Sequence, residues 1–381
     1  MTVYLDNSAT TKPSEGVIKT VIQALSEGFY NPSSMYAPSL EVEKRLNICR
    51  DRIRAAIFAE SASVIFTSGG TESNNLALRG SLDVCRAPVR IAVSAAEHPS
   101  VFETAQELIR GRGELVILPL THEGSVDVNA VRDELKKGLT LLSVMQVNNE
   151  TGAINDISQI ADLKEALCPD CRLHVDGVQG FLRESIRFKG IDLYTLSAHK
   201  IHALKGTGAL VVKKGLRLKA VNIGGGQENG LRSGTENTPG ILSLSQAIKE
   251  MTAMEKRHDT MLALKIRLFT LLKQYIPACT VNGPEPEKGA CHILNMSFPG
   301  VRGETMLHSL EEADVLVSTG SACSARHSKG SRVLEAMNTP PKLRESAIRF
   351  SLSPHTGQEE IDFAAEAVRN AYKTLVRYQR R

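Results

Sequence analysis

Between residue 63 and about residue 212, short apolar runs alternate with amphipathic stretches along the chain. The amphipathic stretches carry apolar residues at helical spacing, and the clearest of them are 101–109, 128–135 and 157–167. Apolar strands separated by helices indicate a mostly parallel sheet that is covered by helices on both faces. The pattern therefore predicts an α/β fold with seven strands, at 64–67, 91–94, 115–118, 141–144, 173–175, 193–196 and 209–212.

The pattern changes after Thr238-Pro239. A long helical stretch at about 241–275 leads into a smaller α+β unit, with strands at 293–298, 315–317 and 348–351 and a final helix from about Gln358. At 381 residues the chain is also longer than one ordinary core. We therefore predict a large domain at 13–250 and a small domain made of 1–12 and 251–381, with a loop at about 318–330.

Composition excludes several classes of function. Hydrophobic residues make up 42% of the chain and charged residues 23%, which is typical of a soluble globular protein. The net charge of +4 comes from scattered basic residues, whereas a nucleic-acid-binding surface needs a concentrated basic stripe. No apolar run approaches the roughly 20 residues of a membrane-spanning helix, and residues 1–6 do not begin a signal peptide. We therefore expect a cytoplasmic protein that binds neither membrane nor nucleic acid directly.

The seven cysteines argue against a disulfide framework, because their number is odd and the chain lacks a secretory pattern. Cys168 and Cys171 have the spacing of a redox or metal pair, but no second pair accompanies them. We interpret them as two thiols at a helix-to-strand connection. The cysteines with apolar or helical neighbours are interpreted as small core residues: Cys49, Cys85, Cys279 and Cys291.

Two chemically suggestive residues follow predicted strands. Lys200 closes the run that ends in Ser197-Ala-His-Lys200, and a lysine at the end of a strand can project its amine into a cleft. Such an amine can hold an aldehyde cofactor as a Schiff base. Asp176 ends another apolar strand, where it could pair with a pyridinium nitrogen, and Gln179 could reach the phenolic oxygen of the same ring. The pair suggests pyridoxal 5′-phosphate, although an aspartate here can also simply initiate a turn.

Other polar segments could serve the same cofactor. Residues 68–75 (Ser-Gly-Gly-Thr-Glu-Ser-Asn-Asn) follow a strand and open a helix, which suits either a phosphate site or an ordinary helix cap. His98 ends a strand where its imidazole could lie over a flat ring, or could simply be a hydrogen-bonded polar residue. Residues 148–152 (Asn-Asn-Glu-Thr-Gly) crowd polar side chains after a strand. The glycine-rich loop 224–237 contains Thr235 and could form a flexible anion-binding loop or a plain surface loop.

A second reactive group is predicted in the loop at 318–330. Cys323 has small, polar neighbours and Arg326 close by, which would favour its thiolate, although an inert exposed thiol fits the same pattern. Arg349 lies in a short predicted strand. It could clamp a substrate carboxylate with two parallel hydrogen bonds, or form a surface salt bridge.

The chain resembles a cysteine desulfurase of the NifS/IscS type, a fold-type I pyridoxal phosphate enzyme. Its motifs follow one another in the same order as in that family, from one end of the chain to the other. The matching segments are 5–11, 31–34, 69–75, Glu97-His98, 148–152, His174-Val-Asp176 with Gln179, 197–200, 224–237 and 320–323. Tyr36 and Ser39 stand where relatives usually carry His and Gly.

The resemblance implies a role for each matching residue. Lys200 would carry the cofactor, Asp176 would pair with the pyridine nitrogen, and Gln179 and His98 would contact the ring. Lys200, Cys323 and His98 would be the catalytic residues. Residues that would hold the phosphate are Gly70, Thr71, Ser197 and His199, with Thr235 reaching in from the other subunit of a homodimer. Asn149, also a cofactor contact, and Arg349 would bind the substrate carboxylate.

The implied activity is removal of sulfur from L-cysteine, which gives L-alanine and a persulfide on Cys323. The persulfide would supply a sulfur-acceptor protein, either a scaffold for iron–sulfur assembly or a tRNA-thiolation enzyme. Two alternatives remain: a selenocysteine lyase with the same cofactor chemistry, and a catalytically idle relative that acts as a scaffold or sulfur-carrier partner. The presence of both Lys200 and Cys323 argues against an idle relative.

Overall fold

A computed structural model describes residues 2–86, 88–320 and 330–379 of the protein. Helices and strands alternate through the first two thirds of the described chain, as the apolar pattern predicts. The strands are β1 (Val3–Tyr4), β2 (Ser63–Thr67), β3 (Val89–Ser94), β4 (Gly113–Leu118), β5 (Leu141–Met145), β6 (Arg172–Asp176), β7 (Leu193–Ser197), β8 (Gly208–Val212), β9 (Thr280–Val281), β10 (Ile293–Ser297), β11 (Val315–Leu316) and β12 (Ala347–Ser351).

The helices cover both faces of the larger sheet and complete the C-terminal part. They are α1 (Glu15–Ser26), α2 (Ala37–Ala56), α3 (Gly70–Leu82), α4 (Pro99–Leu108), α5 (Val128–Lys136), α6 (Ile157–Leu167), α7 (Thr238–Ala253), α8 (Arg257–Tyr275), α9 (Gly303–Glu312), α10 (Arg332–Ala336), α11 (Pro341–Arg344) and α12 (Gln358–Gln379). None of the helices in the described ranges is long and apolar enough to cross a membrane.

The larger sheet has seven strands in the order β2-β8-β7-β6-β5-β3-β4. All neighbouring pairs are parallel except those of β8, which runs antiparallel to both β2 and β7. The central strands β5 and β7 are buried along their whole length, as expected for a sheet with helices on both faces. The predicted α/β fold with seven strands is therefore confirmed.

The C-terminal part forms smaller sheets and a separate core. Strand β10 pairs antiparallel with β12 and β9, and β1 pairs parallel with β11. The core of this part joins Val3 and Leu5 to apolar residues between Leu264 and Ala371. The division into 13–250 and 1–12 with 251–381 stays our proposal, and this separate core supports it.

The helical region predicted at about 241–275 as one stretch is two helices, which is a correction. Helix α7 ends at Ala253, Met254 has a non-helical ψ of 77°, and α8 starts at Arg257. Residues Ile241 to Met251 pack into the core of the large sheet, whereas Leu264 to Leu272 pack into the C-terminal core. The chain bends between them because the two helices bury their apolar faces in different cores.

The six cysteines in the described ranges are all free thiols. Cys49, Cys279 and Cys291 are buried, as expected of core residues, whereas Cys85 is only half-buried at the edge of a core. Cys168 and Cys171 lie between α6 and β6, at the predicted helix-to-strand connection.

Candidate active site

A cavity of about 310 Å³ opens at the carboxyl ends of the parallel strands. Ligands of open α/β sheets bind at this edge, because the loops that follow the strands converge there. Ten residues that the sequence predicts to act in catalysis or binding line this cavity: Gly70, Thr71, His98, Asn149, Asp176, Gln179, Ser197, His199, Lys200 and Arg349. Residues 1–150 supply four of them, and residues separated by up to 279 positions (349 − 70) meet here.

Lys200 ends a short 3₁₀ turn directly after β7 and is half-buried, because one side of its chain borders the cavity. Its Nζ donates hydrogen bonds to the carbonyl oxygens of Ser8, at 2.6 Å, and Ala9, at 2.8 Å. Burial, together with the charges of Arg349 and Arg183, lowers the pKa of Lys200 to about 7. A substantial fraction of the amine is therefore neutral, and nucleophilic, near neutral pH.

The N-terminus of α3 forms one wall of the cavity. Gly69 precedes the helix with φ at +152°, and no side chain caps it, so the amides of the first turn have no partner within the helix. A Cβ at position 70 would lie 2.9 Å from Val178 Cγ2, so the backbone can pack here only because residue 70 is a glycine. Free amides at a helix N-terminus form a binding site for an anion such as a phosphate.

Ser197 and His199 also line the cavity, and a Cβ at Gly70 would lie 3.6 Å from Ser197 Cβ. His199 Nδ1 lies 3.1 Å from Thr10 Oγ1. Burial lowers the pKa of His199 to about 4, and the charge of Lys200 adds to the effect. The imidazole is therefore neutral at pH 7 and offers a hydrogen bond rather than a charge.

Asp176 lies at the end of β6 and is buried. Its Oδ1 accepts a hydrogen bond from the amide of Val178 at 3.0 Å, and its Oδ2 accepts one from Asn74 Nδ2 at 2.8 Å. These two donors fix the carboxylate at the border of the cavity. A fixed carboxylate is suited to keep a pyridine nitrogen protonated.

Asn74 also connects Asp176 to His98. The same Nδ2 group donates to Ser100 Oγ at 2.9 Å, and Ser100 Oγ lies 2.8 Å from His98 Nδ1. The backbone amide of Ser100 donates to His98 Nδ1 at 3.2 Å. An amide can only donate, so His98 Nδ1 is an acceptor and the neutral ring carries its proton on Nε2. Burial lowers the pKa of His98, which favours this neutral form.

The side-chain amide of Gln179 is held in one orientation. Its Oε1 accepts hydrogen bonds from Arg183, at 3.1 Å, and from His292 Nε2, at 3.4 Å. Its Nε2 donates to the carbonyl oxygen of Ser8 at 3.0 Å. Gln179 and Lys200 therefore share the Ser8 carbonyl as acceptor, on the side where both border the cavity.

Arg349 comes from β12 of the C-terminal part, so the cavity lies between the two cores. The arginine is 1% exposed, so its alternative interpretation as a surface salt bridge is wrong. One terminal nitrogen donates to the carbonyl oxygen of Asn149 at 2.8 Å. This contact brings together the two residues predicted to bind the substrate carboxylate.

Two predicted site residues are not among those that line the cavity. Thr235 is exposed in the glycine-rich loop, which is anchored to the N-terminal turn of α3 by an ion pair between Arg232 and Glu72 at 2.8 Å. Its predicted role at the site of another subunit stays a prediction. Cys323 lies outside the described residues.

Sequence reasoning did not identify four residues as site residues: Asp6, Ser8, Asn74 and Ser100. Asp6 and Ser8 lie in the segment 5–11, and Asn74 in the segment 69–75, both of which contributed to the resemblance. Ser100 lies two positions after His98, where its hydroxyl and amide reach the imidazole. The signal available in the sequence was the place of the first three within matching segments and the place of Ser100 close to His98.

The cavity fits pyridoxal 5′-phosphate. The uncapped end of α3 can receive the phosphate, the Lys200 amine can react with the aldehyde, and Asp176 offers a carboxylate to the ring nitrogen. Gly70 and Thr71, the first two residues of α3, both line the cavity, so the uncapped helix end faces the space that the cofactor would fill.

The family model described as aminotransferase class-V matches residues 3–363. A protein named cysteine desulfurase from Sinorhizobium fredii is 35% identical over 378 residues, which cover 98% of this chain and 97% of the relative. Among solved structures, one titled NifS-like protein has a TM-score of 0.91 at 27% identity, over 98% of this chain and all of the other.

A further solved structure is titled SspA in complex with cysteine. It has a TM-score of 0.81 at 26% identity, and the alignment covers 93% of this chain and all of the other. The similarities therefore include both parts of the chain that form the cavity.

Proposed function

The chain belongs to the aminotransferase class-V family and, within it, to the pyridoxal-phosphate-dependent cysteine desulfurases of the NifS/IscS type, and from this premise we propose that it transfers sulfur from L-cysteine to its own Cys323. The Cβ–S bond of the substrate breaks and an S–S bond to Cys323 forms. The carbon takes the electron pair of the broken bond together with a proton, so L-alanine leaves and no external oxidant is needed.

The observation that carries this proposal is the convergence of the Lys200 amine and the Arg349 guanidinium on one cavity that also holds Asp176 and His98. When bound, pyridoxal 5′-phosphate supplies an aldehyde for the amine and a ring that withdraws electrons from the substrate Cα. Gly70, Thr71, Ser197 and His199 would hold its phosphate, and Asp176 and Gln179 would fix its ring.

The substrate is bound at its carboxylate and its α-proton is moved by Lys200. Arg349 and Asn149, which are joined by a hydrogen bond, would bind the carboxylate, and both line the cavity that Lys200 lines. Because the pKa of Lys200 is lowered to about 7, its amine can both accept and return a proton near neutral pH. His98, with its proton on Nε2, lines the same cavity and would contact the ring.

The described residues just before and just after the segment that contains Cys323 support the access of this thiol to the substrate. The backbones of Ser318 and Arg349 exchange hydrogen bonds of 3.2 and 2.7 Å. Cys323 follows Ser318 by five positions, and five residues of extended chain span at most about 17 Å. Ser331, beyond the segment, bonds to Glu150 Oε2 at 2.5 Å, and a Cβ at Gly320 would lie 3.3 Å from that same oxygen.

A Cys323→Ser variant tests the proposal against a Cys85→Ser control, which alters a half-buried thiol in a different core. With L-cysteine, the Cys85→Ser enzyme should form alanine and a protein persulfide as the unaltered enzyme does. The Cys323→Ser enzyme should bind the cofactor and substrate but form no persulfide and only traces of alanine. Normal yields of both products from Cys323→Ser would contradict the assignment of the nucleophile.

We further propose that two copies form a homodimer and that Thr235 of one subunit contacts the cofactor phosphate of the other. Large apolar side chains are exposed on and around α1 and α2, namely Ile18, Ile22, Leu25, Phe29, Met35 and Leu40, and Met35 is 96% exposed. Ile223, beside the glycine-rich loop, is 87% exposed. Apolar surface of this extent is typical of a protein–protein interface.

The sulfur acceptor we propose is a protein of iron–sulfur assembly or of tRNA thiolation. A persulfide is a covalent product that must be removed before the next turnover, so the activity requires such an acceptor. We also propose a cytoplasmic location, because the free thiols at the described cysteines fit a reducing compartment.

A further inference from the structure

Arg349 lines the cavity and has an internal ion-pair partner, Asp6, which does not itself line it. One terminal nitrogen donates to Asn149 O at 2.8 Å, and the other donates to Asp6 Oδ1 at 2.6 Å. Nε–H has no partner among the residues that the structure describes. The guanidinium thus retains donors for a further carboxylate while it is paired with Asp6.

The position of Asp6 is fixed by the backbone around it. Asp6 forms a β-bridge with Ser351, the last residue of β12, so it lies beside the strand that carries Arg349. Its carbonyl oxygen accepts hydrogen bonds from the amide of Ala9, at 3.0 Å, and from the hydroxyl of Tyr4, also at 3.0 Å. The backbone that carries the Asp6 carboxylate is therefore fixed by these contacts beside the strand of Arg349.

A buried arginine needs a counter-charge, because an unpaired charge in the interior is costly. The side chain of Arg349 is 2% exposed, and Asp6 is its ion-pair partner within the described chain. Arg349 and Arg183 lower the pKa of Lys200, whereas Asp6 and Asp176 raise it, so all five charged groups share one electrostatic environment. An incoming carboxylate adds a further negative charge close to Asp6.

We propose that Asp6 is a specificity-determining residue, which acts as the built-in counter-ion of Arg349 and weakens the binding of carboxylates that carry no amino group. The inference rests on the proposed role of Arg349 as the carboxylate-binding residue. A plain monocarboxylate brings a net negative charge and is repelled by Asp6. An α-amino acid brings a compensating ammonium group, so it meets a smaller penalty.

Propionate, which is L-cysteine without its amino and thiol groups, is the probe. It measures the repulsion of a carboxylate by Asp6 without the compensating charge of an ammonium group. Its inhibition constant against L-cysteine should fall about tenfold or more in an Asp6→Asn holoenzyme, because the amide keeps the shape of the side chain and removes its charge. The KM for L-cysteine should change less than the inhibition constant. Structural damage would weaken propionate binding, so the sign of the change identifies the electrostatic role.

Two other variants complete the experiment. Asp6→Glu keeps the charge and should retain weak propionate inhibition. Asp362→Asn makes the same substitution in an exposed pair with Arg267, between α8 and α12, and should behave as the unaltered enzyme. Thermal unfolding with and without propionate gives a readout that does not depend on turnover, and Asp6→Asn should gain more stability from propionate than the unaltered protein does.

Arg349→Gln distinguishes failure of the inference from failure of the proposed function. If Arg349→Gln weakens both L-cysteine and propionate while Asp6→Asn leaves propionate binding unchanged or weaker, the inference about Asp6 is wrong and the role of Arg349 stands. If Asp6→Asn does not fold, equal propionate inhibition of Asp6→Ser and of the unaltered enzyme overturns the inference. If Arg349→Gln leaves both ligands unaffected, the carboxylate role of Arg349 is itself wrong.

Discussion

Lys200 Nζ donates a hydrogen bond of 2.6 Å to the carbonyl oxygen of Ser8. A neutral amine keeps hydrogen atoms for this bond and also gains a lone pair for an incoming aldehyde. The contact therefore orients the amine in both of its protonation states. It joins the N-terminal segment, which contributes to the C-terminal core, to the end of β7 in the larger sheet.

The first prediction concerns the pH dependence of cofactor uptake by the apoprotein. Because the neutral amine is the reactive form and the pKa of Lys200 is lowered to about 7, the rate should rise about tenfold per pH unit below pH 7 and level off above it. Stopped-flow absorbance of added pyridoxal 5′-phosphate measures this rate. The charged groups that act on Lys200 are Arg349, Arg183, Asp6 and Asp176, and the charge of Lys200 in turn lowers the pKa of His98 and of His199.

Nα-acetyl-lysine amide is the control for this measurement, since its amine has an ordinary pKa of roughly 10.4. The ionisation of the cofactor's own groups changes with pH in the same way in both reactions. The ratio of the two rates isolates the protein's amine. Below pH 7 both rates rise in parallel, so the decisive range lies between about pH 7 and 9, where the ratio of the protein rate to the control rate should fall because only the free amine continues to gain its neutral form. A ratio that stays constant over that range would show that Lys200 titrates like the free amine, against the lowered pKa.

A second prediction tests the connection of Asp176 and His98 through Asn74. Asn74→Leu removes both hydrogen bonds of the Nδ2 group, so the carboxylate and Ser100 Oγ each lose a donor. Loss of a hydrogen bond to a charged group costs about 1.5–3 kcal/mol, so we expect cofactor affinity to fall roughly 10- to 100-fold. Equilibrium dialysis of the cofactor measures the affinity.

Asn75→Leu is the matched control, since Asn75 is the next residue of α3 and bonds instead to Thr71 O and Arg79. It should bind the cofactor with nearly unchanged affinity. Ser100→Ala should keep the hydrogen bond between Asn74 and Asp176 but alter the pH profile of turnover, because His98 loses the hydroxyl contact at Nδ1. Equal affinities for Asn74→Leu and Asn75→Leu would contradict the role of Asn74.

The elements of the fold could be predicted well where apolar runs end in polar residues. All seven strands of the larger sheet lie within two residues of the predicted bounds. The break between α7 and α8 could not be predicted, because residues 254–256 contain neither glycine nor proline. It depends on which core each helix packs against, and a local pattern does not contain that information.

The site was predictable where a side chain itself carries the chemistry, as with Lys200 and Asp176 at strand ends. Ser8 was not, because it contributes a backbone carbonyl that any residue type could provide. Asp6 pairs with Arg349 across 343 positions of sequence. Asn74 and Asn75 look alike in the sequence, and only the rotation of α3 determines which of the two faces Asp176.

A third prediction concerns the close packing at Gly70. Gly70→Ala places a Cβ 2.9 Å from Val178 Cγ2, so the helix end or Val178 must shift. Overpacking of this kind costs about 1–3 kcal/mol of stability. A shift of the helix end would move the amides that bind the phosphate, so cofactor affinity should fall, by up to roughly tenfold if about 1.4 kcal/mol of that cost is released when the cofactor is absent. The same dialysis measurement applies, with circular dichroism to show that the variant is folded.

The double variant Gly70→Ala with Val178→Ala removes the clashing methyl group and should recover much of the lost affinity. Gly357→Ala is the control, because the nearest atom to its Cβ is a carboxylate oxygen at 3.6 Å, an ordinary contact. Failure of the double variant to recover any affinity would mean that the clash with Val178 is not the reason for a glycine at position 70.

The last prediction tests whether each site takes residues from two subunits. Lys200→Ala removes the reactive amine, and Thr235→Glu places a negative charge where the phosphate would bind, so each variant alone should be inactive. If Thr235 acts across the interface, a heterodimer has one site with both defects and one site with none. Random exchange of subunits makes half of the dimers heterodimers, so a mixture of the two variants should recover about a quarter of the normal alanine formation.

If Thr235 instead acts within its own subunit, every site of every heterodimer keeps one defect, and the mixture should stay inactive although subunits exchange. Sedimentation of differently labelled variants verifies the exchange, so an inactive mixture with exchanged subunits contradicts the shared site.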